Sequence, residues 1–165
     1  MTPIPRLTGA SRAGRRLVIN MLCLLLAFAP SPAAAEGFAG LRDLSGKTHA
    51  LSGYRGKWVI VNYWATWCPP CLEEIPDLIA LHEQRKDLVV IGIALDFENP
   101  AEVARYVDDN LMSYPVVLGN EKVVAQIGSA SVLPTTFIFD PSGKLVKTRR
   151  GLVTRKMLEK TISGQ

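Results

Sequence analysis

The chain has 165 residues, of which 48% are hydrophobic and 21% charged, a balance that suits one globular domain and excludes a disordered chain, a collagen-like repeat and a polytopic membrane protein. Residues 1–35 contain four arginines and no acid, so the remaining 130 residues hold 15 basic and 15 acidic side chains and no net charge. The basic character therefore belongs to the first segment. With no interleaved basic and aromatic motif, it indicates no nucleic-acid partner.

Residues 1–35 have the pattern of an export signal. A basic segment ends at Arg16, an apolar run extends from Leu17 to Ala29, and three small residues end at Ala35, after which we expect cleavage. As a helix the apolar run would reach about 20 Å, short of a ~30 Å hydrocarbon core. We therefore expect a signal peptide over 1–35 and a mature domain over 36–165 in the periplasm or another exported location. An uncleaved leader that anchors the chain to the membrane is the alternative.

Beyond the leader, strand and helix patterns alternate along the chain. A short hairpin or extended entry segment is expected over 41–51, and strands are expected over 57–63, 88–97, 114–118, 135–139 and 144–148. Helices are expected after Cys68, with Pro76 inside the first one, and over 100–110, 121–127 and 154–162. The strand-helix-strand units predict parallel pairing of their strands. The hairpin formed by the last two strands predicts an antiparallel strand at the edge of the sheet. The predicted fold class is α/β, with a central mixed β-sheet and helices on both faces.

Without the leader and its Cys23, two cysteines remain, Cys68 and Cys71. In an oxidising compartment, thiols stay reduced only if something reduces them. A purely structural disulfide is the weaker interpretation, because a loop between positions i and i+3 removes little entropy from the unfolded chain. Zinc would need about four ligands, and His49 and His82 lie in no ligand spacing, so we expect no metal. The pair therefore predicts redox exchange, with His82 as a packed helix residue.

The position of the pair gives each cysteine a different expected role. A strand ends just before Cys68 and a helix begins there, so unpaired backbone N–H groups and the positive end of the helix dipole would lower the pKa of its thiol. Cys68 is then the attacking nucleophile. Cys71, one helical turn further along, would be the buried thiol that resolves the mixed disulfide, and Pro69 and Pro70 would stiffen the turn.

At these residues the chain resembles the thioredoxin superfamily, and specifically the exported TlpA/ResA-like thiol-disulfide oxidoreductases. The resemblance covers roughly residues 44–162 and includes Pro76 five positions after Cys71. It is carried by Trp64-Ala65-Thr66-Trp67-Cys68-Pro69-Pro70-Cys71 and by Val132-Leu133-Pro134-Thr135-Thr136-Phe137. It implies a thioredoxin-like fold and an enzyme that exchanges dithiols and disulfides without any cofactor.

The resemblance also implies a substrate surface around the cysteines. Pro134 would be cis and lie against the pair, which would leave the backbone of Leu133 free to bond an unfolded polypeptide. A strand-entry proline on a sheet edge is the alternative for Pro134. Trp67 would be an apolar rim residue, and with Pro69 and Pro70 it completes the expected substrate-binding set.

Glu74 stands three residues after Cys71, where ResA-like proteins carry an acid thought to handle protons for the buried thiol. Spacing i to i+3 places it on the same side of the helix as Cys71. A solvated glutamate like Glu73 is the alternative. Thioredoxins proper carry a buried aspartate six residues before the first cysteine, where this chain has Asn62. Because an asparagine cannot titrate, Glu74 is expected to be the base.

The predicted function is reduction of protein disulfides, because the two prolines between the cysteines supply no charge that would stabilise the Cys68 thiolate. By resemblance, substrates include apocytochrome c during cytochrome c maturation, and a membrane electron donor such as a CcdA- or DsbD-like protein re-reduces the pair. An oxidant or isomerase of exported proteins and a non-catalytic binding module of the same fold are the alternatives. A thiol peroxidase motif, Pro-x-x-x-Thr-x-x-Cys, is absent around Cys68.

The end of the chain is basic. Residues 144–160 have a net charge of about +6, and residues 36–143 of about −6. A solvated edge strand and helix is the ordinary explanation, and attraction of an acidic partner or of the membrane surface is the alternative.

Overall fold

The computed structural model describes residues 37–164, so the leader, its predicted cleavage site and Cys23 lie outside the described part. Within these residues no helix is long and apolar enough to cross a membrane. In chain order the elements are β1 Leu41–Arg42, β2 Thr48–His49, a 3₁₀ helix Leu51–Tyr54, β3 Trp58–Trp64, α1 Pro69–Gln84, β4 Leu88–Ala94, α2 Pro100–Asp109, β5 Val116–Leu118, α3 Glu121–Ile127, β6 Thr135–Phe139, β7 Leu145–Arg150 and α4 Arg155–Ile162.

Five strands form the central sheet in the order β5-β4-β3-β6-β7. β3 pairs in parallel with β4, and β4 with β5, because each connection passes through a helix. β6 pairs antiparallel with β3, and β7 with β6 across the turn after Phe139. The predicted mixed sheet is confirmed. β1 and β2 form the predicted hairpin, which a bridge between Asp43 and Val117 ties to the β5 edge.

The central strands are buried on both faces, which explains why β3 and β4 are almost continuously apolar. On one face, Ile60, Trp64 and Ile138 pack with side chains from α1, α2 and α4. On the other face, Val61 and Phe137 pack with α3, the 3₁₀ helix and the hairpin. The expectation of helices on both faces is therefore confirmed.

Several strand boundaries differ from those predicted, and three of the differences have a local cause. β4 ends at Ala94 instead of residue 97, since Asp96 takes a left-handed conformation with φ of 52° that interrupts the extended chain. β5 begins only at Val116, after Pro115, which has no N–H to donate. β7 continues to Arg150, because Arg149 and Arg150 pair with Thr136 and Thr135 before Gly151 turns the chain with φ of 83°.

Both histidines have packing partners among the described residues. The buried ring of His49 contacts the Tyr54 hydroxyl through Nδ1 and lies 2.7 Å from Asp43 Oδ2 through Nε2. This contact holds the hairpin against the 3₁₀ helix. His82 is half-buried on α1, and its Nδ1 accepts a hydrogen bond from the Val90 N–H at 3.1 Å. Burial lowers the pKa of His82, so the neutral ring is favoured.

Candidate active site

Cys68 and Cys71 lie where β3 gives way to α1, at one end of the sheet. They form a disulfide with an S–S distance of 2.07 Å and Cα atoms 5.3 Å apart. Cys68 is the N-cap residue of α1 and Cys71 lies in its first turn. Cys68 is the more exposed of the two cysteines, at 3%, whereas Cys71 is fully buried. This order of burial agrees with an attacking Cys68 and a resolving Cys71.

The first turn of α1 differs from the expectation of unpaired N–H groups. Pro69 and Pro70 occupy the first two helical positions and have no N–H. The N–H groups of Cys71 and Leu72 both donate to the carbonyl oxygen of Cys68, at 3.0 and 3.1 Å. That expectation was therefore wrong for this turn, because prolines remove the donors that the helix would otherwise present. The helix dipole remains as a source of positive potential beside Cys68.

Glu74 is 1% exposed, which excludes the alternative of a solvated helix residue. Its Oε1 accepts a hydrogen bond from Asn62 Nδ2 at 2.6 Å, and its Oε2 accepts one from the Val153 N–H at 2.8 Å. Burial raises the pKa of Glu74 to about 7, although the two donated hydrogen bonds act in the opposite direction. The acid can therefore accept or release a proton near neutral pH.

The exposed rim of the site consists of Trp67, which is 58% exposed, and of Pro69 and Pro70, which are also exposed. Trp67 is held in place by a hydrogen bond from its Nε1 to the carbonyl oxygen of Asp96 at 2.9 Å. Trp64 and Tyr63 are fully buried. An indole held open to solvent beside a disulfide provides a flat apolar surface.

The Leu133–Pro134 peptide bond is cis, as predicted. Pro134 is buried just before β6, and its carbonyl oxygen accepts a hydrogen bond from the Gly151 N–H at 2.8 Å. Leu133 is half-buried and packs against both core clusters. Within residues 37–164, neither its N–H nor its carbonyl oxygen has a backbone hydrogen bond. Both groups are therefore available to an extended segment.

Two polar contributions to the site were not predicted from the sequence. Asn62 donates to Thr136 Oγ1 at 3.1 Å as well as to Glu74 on α1, and Asn62 and Thr136 lie side by side because they are in register on β3 and β6. The Val153 N–H reaches Glu74 from the connection between β7 and α4. The available signal for Asn62 was its amide in the middle of an apolar strand. No local pattern marked Val153.

The fold and the site together define a thiol-disulfide oxidoreductase of the thioredoxin superfamily: a mixed sheet, a Cys-x-x-Cys pair at the start of a helix, and a cis-proline before the adjoining antiparallel strand. Comparison with known proteins supports this assignment. The sequence matches the AhpC/TSA family over residues 32–148, and the chain belongs to this family.

Three similar proteins illustrate the relationship. The thiol-disulfide oxidoreductase ResA of Bacillus subtilis is 35% identical over 119 residues, which are 72% of this chain and 66% of that protein. The crystal structure of a thioredoxin-family thiol:disulfide interchange protein from Chlorobium tepidum is 27% identical, with a TM-score of 0.70 over 82% of this chain and 97% of that one. The pneumococcal exposed lipoprotein thioredoxin from Streptococcus pneumoniae is 28% identical, with a TM-score of 0.68 over 78% and 99% of the two chains.

Proposed function

We propose that the chain is an exported reductant of protein disulfides that works through Cys68 and Cys71. The observation that carries this proposal is a Cys-x-x-Cys pair at the start of α1 with a buried carboxyl group, Glu74, one turn beyond. Export is supported by the leader pattern and by the similarity to an exposed lipoprotein thioredoxin. The intact mass of the protein recovered from outside the cytoplasm checks this point: cleavage after Ala35 leaves residues 36–165, and an uncleaved anchor leaves the whole chain.

The reaction is a two-electron exchange of sulfur-sulfur bonds. The Cys68 thiolate attacks one sulfur of the substrate disulfide, a mixed disulfide forms, and the first substrate thiolate leaves and takes up a proton. Cys71 then loses its proton and attacks the Cys68 sulfur. This step releases the second substrate thiolate and leaves the substrate as a dithiol and the enzyme as the Cys68–Cys71 disulfide. Trp67, Pro69, Pro70, Leu133 and cis-Pro134 hold the substrate segment in this proposal.

Glu74 serves as the base for Cys71 in the second step. A fully buried thiol cannot give its proton directly to bulk water, and a carboxyl group with a pKa of about 7 is matched to accept it at neutral pH. The proton then passes to the leaving substrate thiolate or to water. Asn62 supports this role because it donates a hydrogen bond to the carboxylate but does not itself titrate.

The first turn of α1 favours the reducing direction. A strong oxidant of this class has its reduced form stabilised, which requires donors or charges around the attacking thiolate. Pro69 and Pro70 provide neither, and the N–H groups of Cys71 and Leu72 are bonded to the Cys68 carbonyl oxygen. The Cys68 thiolate is therefore stabilised by the helix dipole without those N–H donors.

By resemblance to the family, we further propose that the substrates include the Cys-x-x-Cys-His segments of apocytochrome c before haem attachment. A reductant outside the cytoplasm needs a supply of electrons, and we expect a membrane donor such as a CcdA- or DsbD-like protein to provide them. Reduction of an oxidised Cys-x-x-Cys-His peptide, compared with the same peptide lacking the histidine, tests the substrate class.

The reduction potential of the Cys68–Cys71 couple separates the reducing from the oxidising direction. Equilibration of residues 36–165 with thiol buffers of known potential should give a value near or below about −250 mV. A value between about −120 and −180 mV would place the protein with oxidants and isomerases and would overturn the proposal. A Cys68→Ser variant that retained full activity would favour a binding module instead.

Stopped-flow measurement of the resolving step tests the role of Glu74. With a preformed mixed disulfide at Cys68, the wild-type rate should rise with pH through an inflection near 7, because the base must be ionised. Glu74→Gln should slow this step by about 10²-fold or more and remove the inflection. Glu73→Gln, at the exposed neighbouring position, is the matched control and should behave as wild type. An unchanged rate in Glu74→Gln across neutral pH would show that Glu74 is not the base for Cys71.

A further inference from the structure

Four buried polar atoms have no hydrogen-bond partner among the described residues: Arg149 Nε on β7, and three beside the active site, Asn62 Oδ1, Trp64 Nε1 and the Tyr114 hydroxyl. Asn62 and Trp64 are fully buried and Tyr114 is 3% exposed. A buried polar atom left unpaired costs about 1–3 kcal/mol, and in folded proteins such atoms are nearly always paired with protein or with internal water. Three of them together therefore require an explanation.

The three atoms belong to one region of the sheet. Asn62 and Trp64 are two residues apart on β3, so their side chains leave the same face, and Asn62 is in register with Gly92 on β4. A Cβ atom on Gly92 would lie 3.1 Å from Trp64 Nε1 and 3.0 Å from Cε2 of Tyr114. The indole nitrogen and the tyrosine ring therefore lie over Gly92, next to Asn62.

The chemistry of these atoms suits a water molecule. Asn62 Oδ1 only accepts hydrogen bonds, Trp64 Nε1 only donates, and the Tyr114 hydroxyl does both. A water molecule can satisfy all three at once, and internal waters typically make about three hydrogen bonds. Tyr114 also lines a surface pocket of about 500 Å³ between α2 and the hairpin.

We infer that Asn62, Trp64 and Tyr114 bind an internal water, and that this water fixes the Asn62 amide so that its NH₂ group faces Glu74. The inference deepens the proposed function, on which its catalytic consequence rests. Tyr114 and Trp64 are then positioning residues, because they act on Glu74 through the water and the Asn62 amide. An amide whose oxygen accepts a hydrogen bond from the water presents its NH₂ group to the carboxylate.

The titration of Glu74 also depends on the other charged and titratable groups near this site. Cys71 lies on the same helix as Glu74, Tyr106 on α2 packs against Trp64 with ring centroids 5.5 Å apart, and the His82 ring lies edge-on to Tyr114 at 6.2 Å. From β7, Arg149 is in register with Thr136. Burial and then the negative charge of Glu74 raise the pKa of Tyr114, so the two groups are electrostatically coupled.

A high-resolution crystal structure of the oxidised protein tests the water site directly. Electron density for a water within hydrogen-bond distance of at least two of the three atoms is expected, and this density should disappear or move in Tyr114→Phe. Tyr106→Phe, which alters the other tyrosine against the Trp64 indole, is the matched control and should keep the water. Wild-type density that shows no water there, or the three atoms bonded directly to one another, would overturn the inference.

The titration of the Glu74 carboxyl group, followed by carbon-13 NMR of the oxidised protein, tests the positioning role. In Tyr114→Phe the amide is freed, the hydrogen bond to the ionised carboxylate weakens, and the midpoint should rise by about half a pH unit or more. Tyr106→Phe should leave it unchanged. An unmoved midpoint in Tyr114→Phe would refute the positioning role. Neither measurement involves substrate, so a normal resolving rate in Glu74→Gln would overturn the proposed role of Glu74 as the base and leave the water site standing.

Discussion

The carboxyl group of Glu74 is costly to ionise because it is buried, and the same burial gives it a pKa at which it can exchange protons near neutral pH. Its carboxyl group is buried under α1, with one hydrogen-bond donor on each oxygen, from Asn62 and Val153. Two donors favour the ionised form, yet burial outweighs them and raises the pKa to about 7. The protein therefore holds an acid that is half-ionised near neutral pH, in a place where its ionisation opposes folding.

This raised pKa predicts a pH-dependent stability. The folded protein binds the Glu74 proton up to about pH 7 and the unfolded chain only up to about 4.5, so the contribution of Glu74 to stability is complete below pH 4.5 and is lost as the pH rises to 7. The predicted loss is about 3 kcal/mol. Urea unfolding of the oxidised protein at pH 4.5 and 8 should show this loss relative to Glu74→Gln, which lacks the titration.

Burial lowers the pKa of His82, but this residue is present in both proteins and its contribution cancels in the difference. Glu73→Gln, which alters an exposed carboxylate, should retain the wild-type pH dependence. If wild type and Glu74→Gln lost the same stability between the two pH values, Glu74 would not have the raised pKa.

Gly92 is a second residue whose environment permits a quantitative prediction. An added Cβ would press on the Tyr114 ring and the Trp64 indole at 3.0 and 3.1 Å, and both are packed in the core. Gly92→Ala should therefore lower the free energy of unfolding by about 1–3 kcal/mol. Gly53→Ala is the matched control, since nothing lies within 4 Å of its added Cβ, and it should be neutral or slightly stabilising. Equal stabilities of the two variants would contradict the packing described here.

At the scale of elements, local signals predicted most of the fold. The bounds of α3 and β6 agree with the sequence prediction because their signals are local: α3 begins at the Asn120 cap, and β6 is a β-branched and aromatic run that follows a proline. The Cys-x-x-Cys motif likewise predicted the junction of β3 and α1. A left-handed residue such as Asp96 has no comparable signature, so the end of β4 was misplaced.

The polar surroundings of Glu74 were beyond sequence analysis for a related reason. Asn62 and Val153 are separated from Glu74 by 12 and 79 positions, and only the assembled sheet brings them together. The family resemblance predicted that Glu74 handles protons for the buried thiol. It did not predict which groups hold it, because those contacts depend on register and on the path of the chain between β7 and α4.

The cap of α3 gives a prediction at this scale. Asn120 Oδ1 accepts a hydrogen bond from the Val123 N–H at 3.1 Å and satisfies one free donor of a helix only seven residues long. Asn120→Ala should cost about 1 kcal/mol of stability in urea unfolding. Asn120→Asp keeps the acceptor and adds a favourable charge at the helix start, so it should match or exceed wild type. A fully stable alanine variant would show that the cap contributes nothing.

At the scale of the whole molecule, charge is divided between two parts of the chain beyond residue 35. Residues 36–143 carry about −6 and residues 144–160 about +6. The positive part includes β7, an edge strand of the sheet, where lysine and arginine discourage pairing with another chain. The Trp67 side of the rim carries acidic groups, since Thr66 donates a hydrogen bond to Glu102 and Trp67 donates one to the backbone of Asp96. On the Pro134 side, Arg150 of the positive part is in register with Thr135.

The acidic groups beside Trp67 predict that substrates with basic residues beside their disulfide react faster than acidic ones. At about 10 mM ionic strength the Debye length is about 30 Å, so a lysine-flanked disulfide peptide should have a several-fold higher kcat/KM than its glutamate-flanked counterpart. At about 1 M salt, where that length falls to about 3 Å, the difference should nearly vanish.

Neutralisation of the rim should have the same effect as salt. Asp96→Asn keeps a residue that tolerates the left-handed backbone, and Glu102→Gln keeps an acceptor for Thr66, so the double variant changes charge with little change of shape. Its preference for the lysine-flanked peptide should fall at low salt, whereas Glu121→Gln, on α3 against the opposite face of the sheet, should retain it. A preference that salt does not alter, or that Glu121→Gln reduces as much as the double variant, would show that contacts other than rim electrostatics select the substrate.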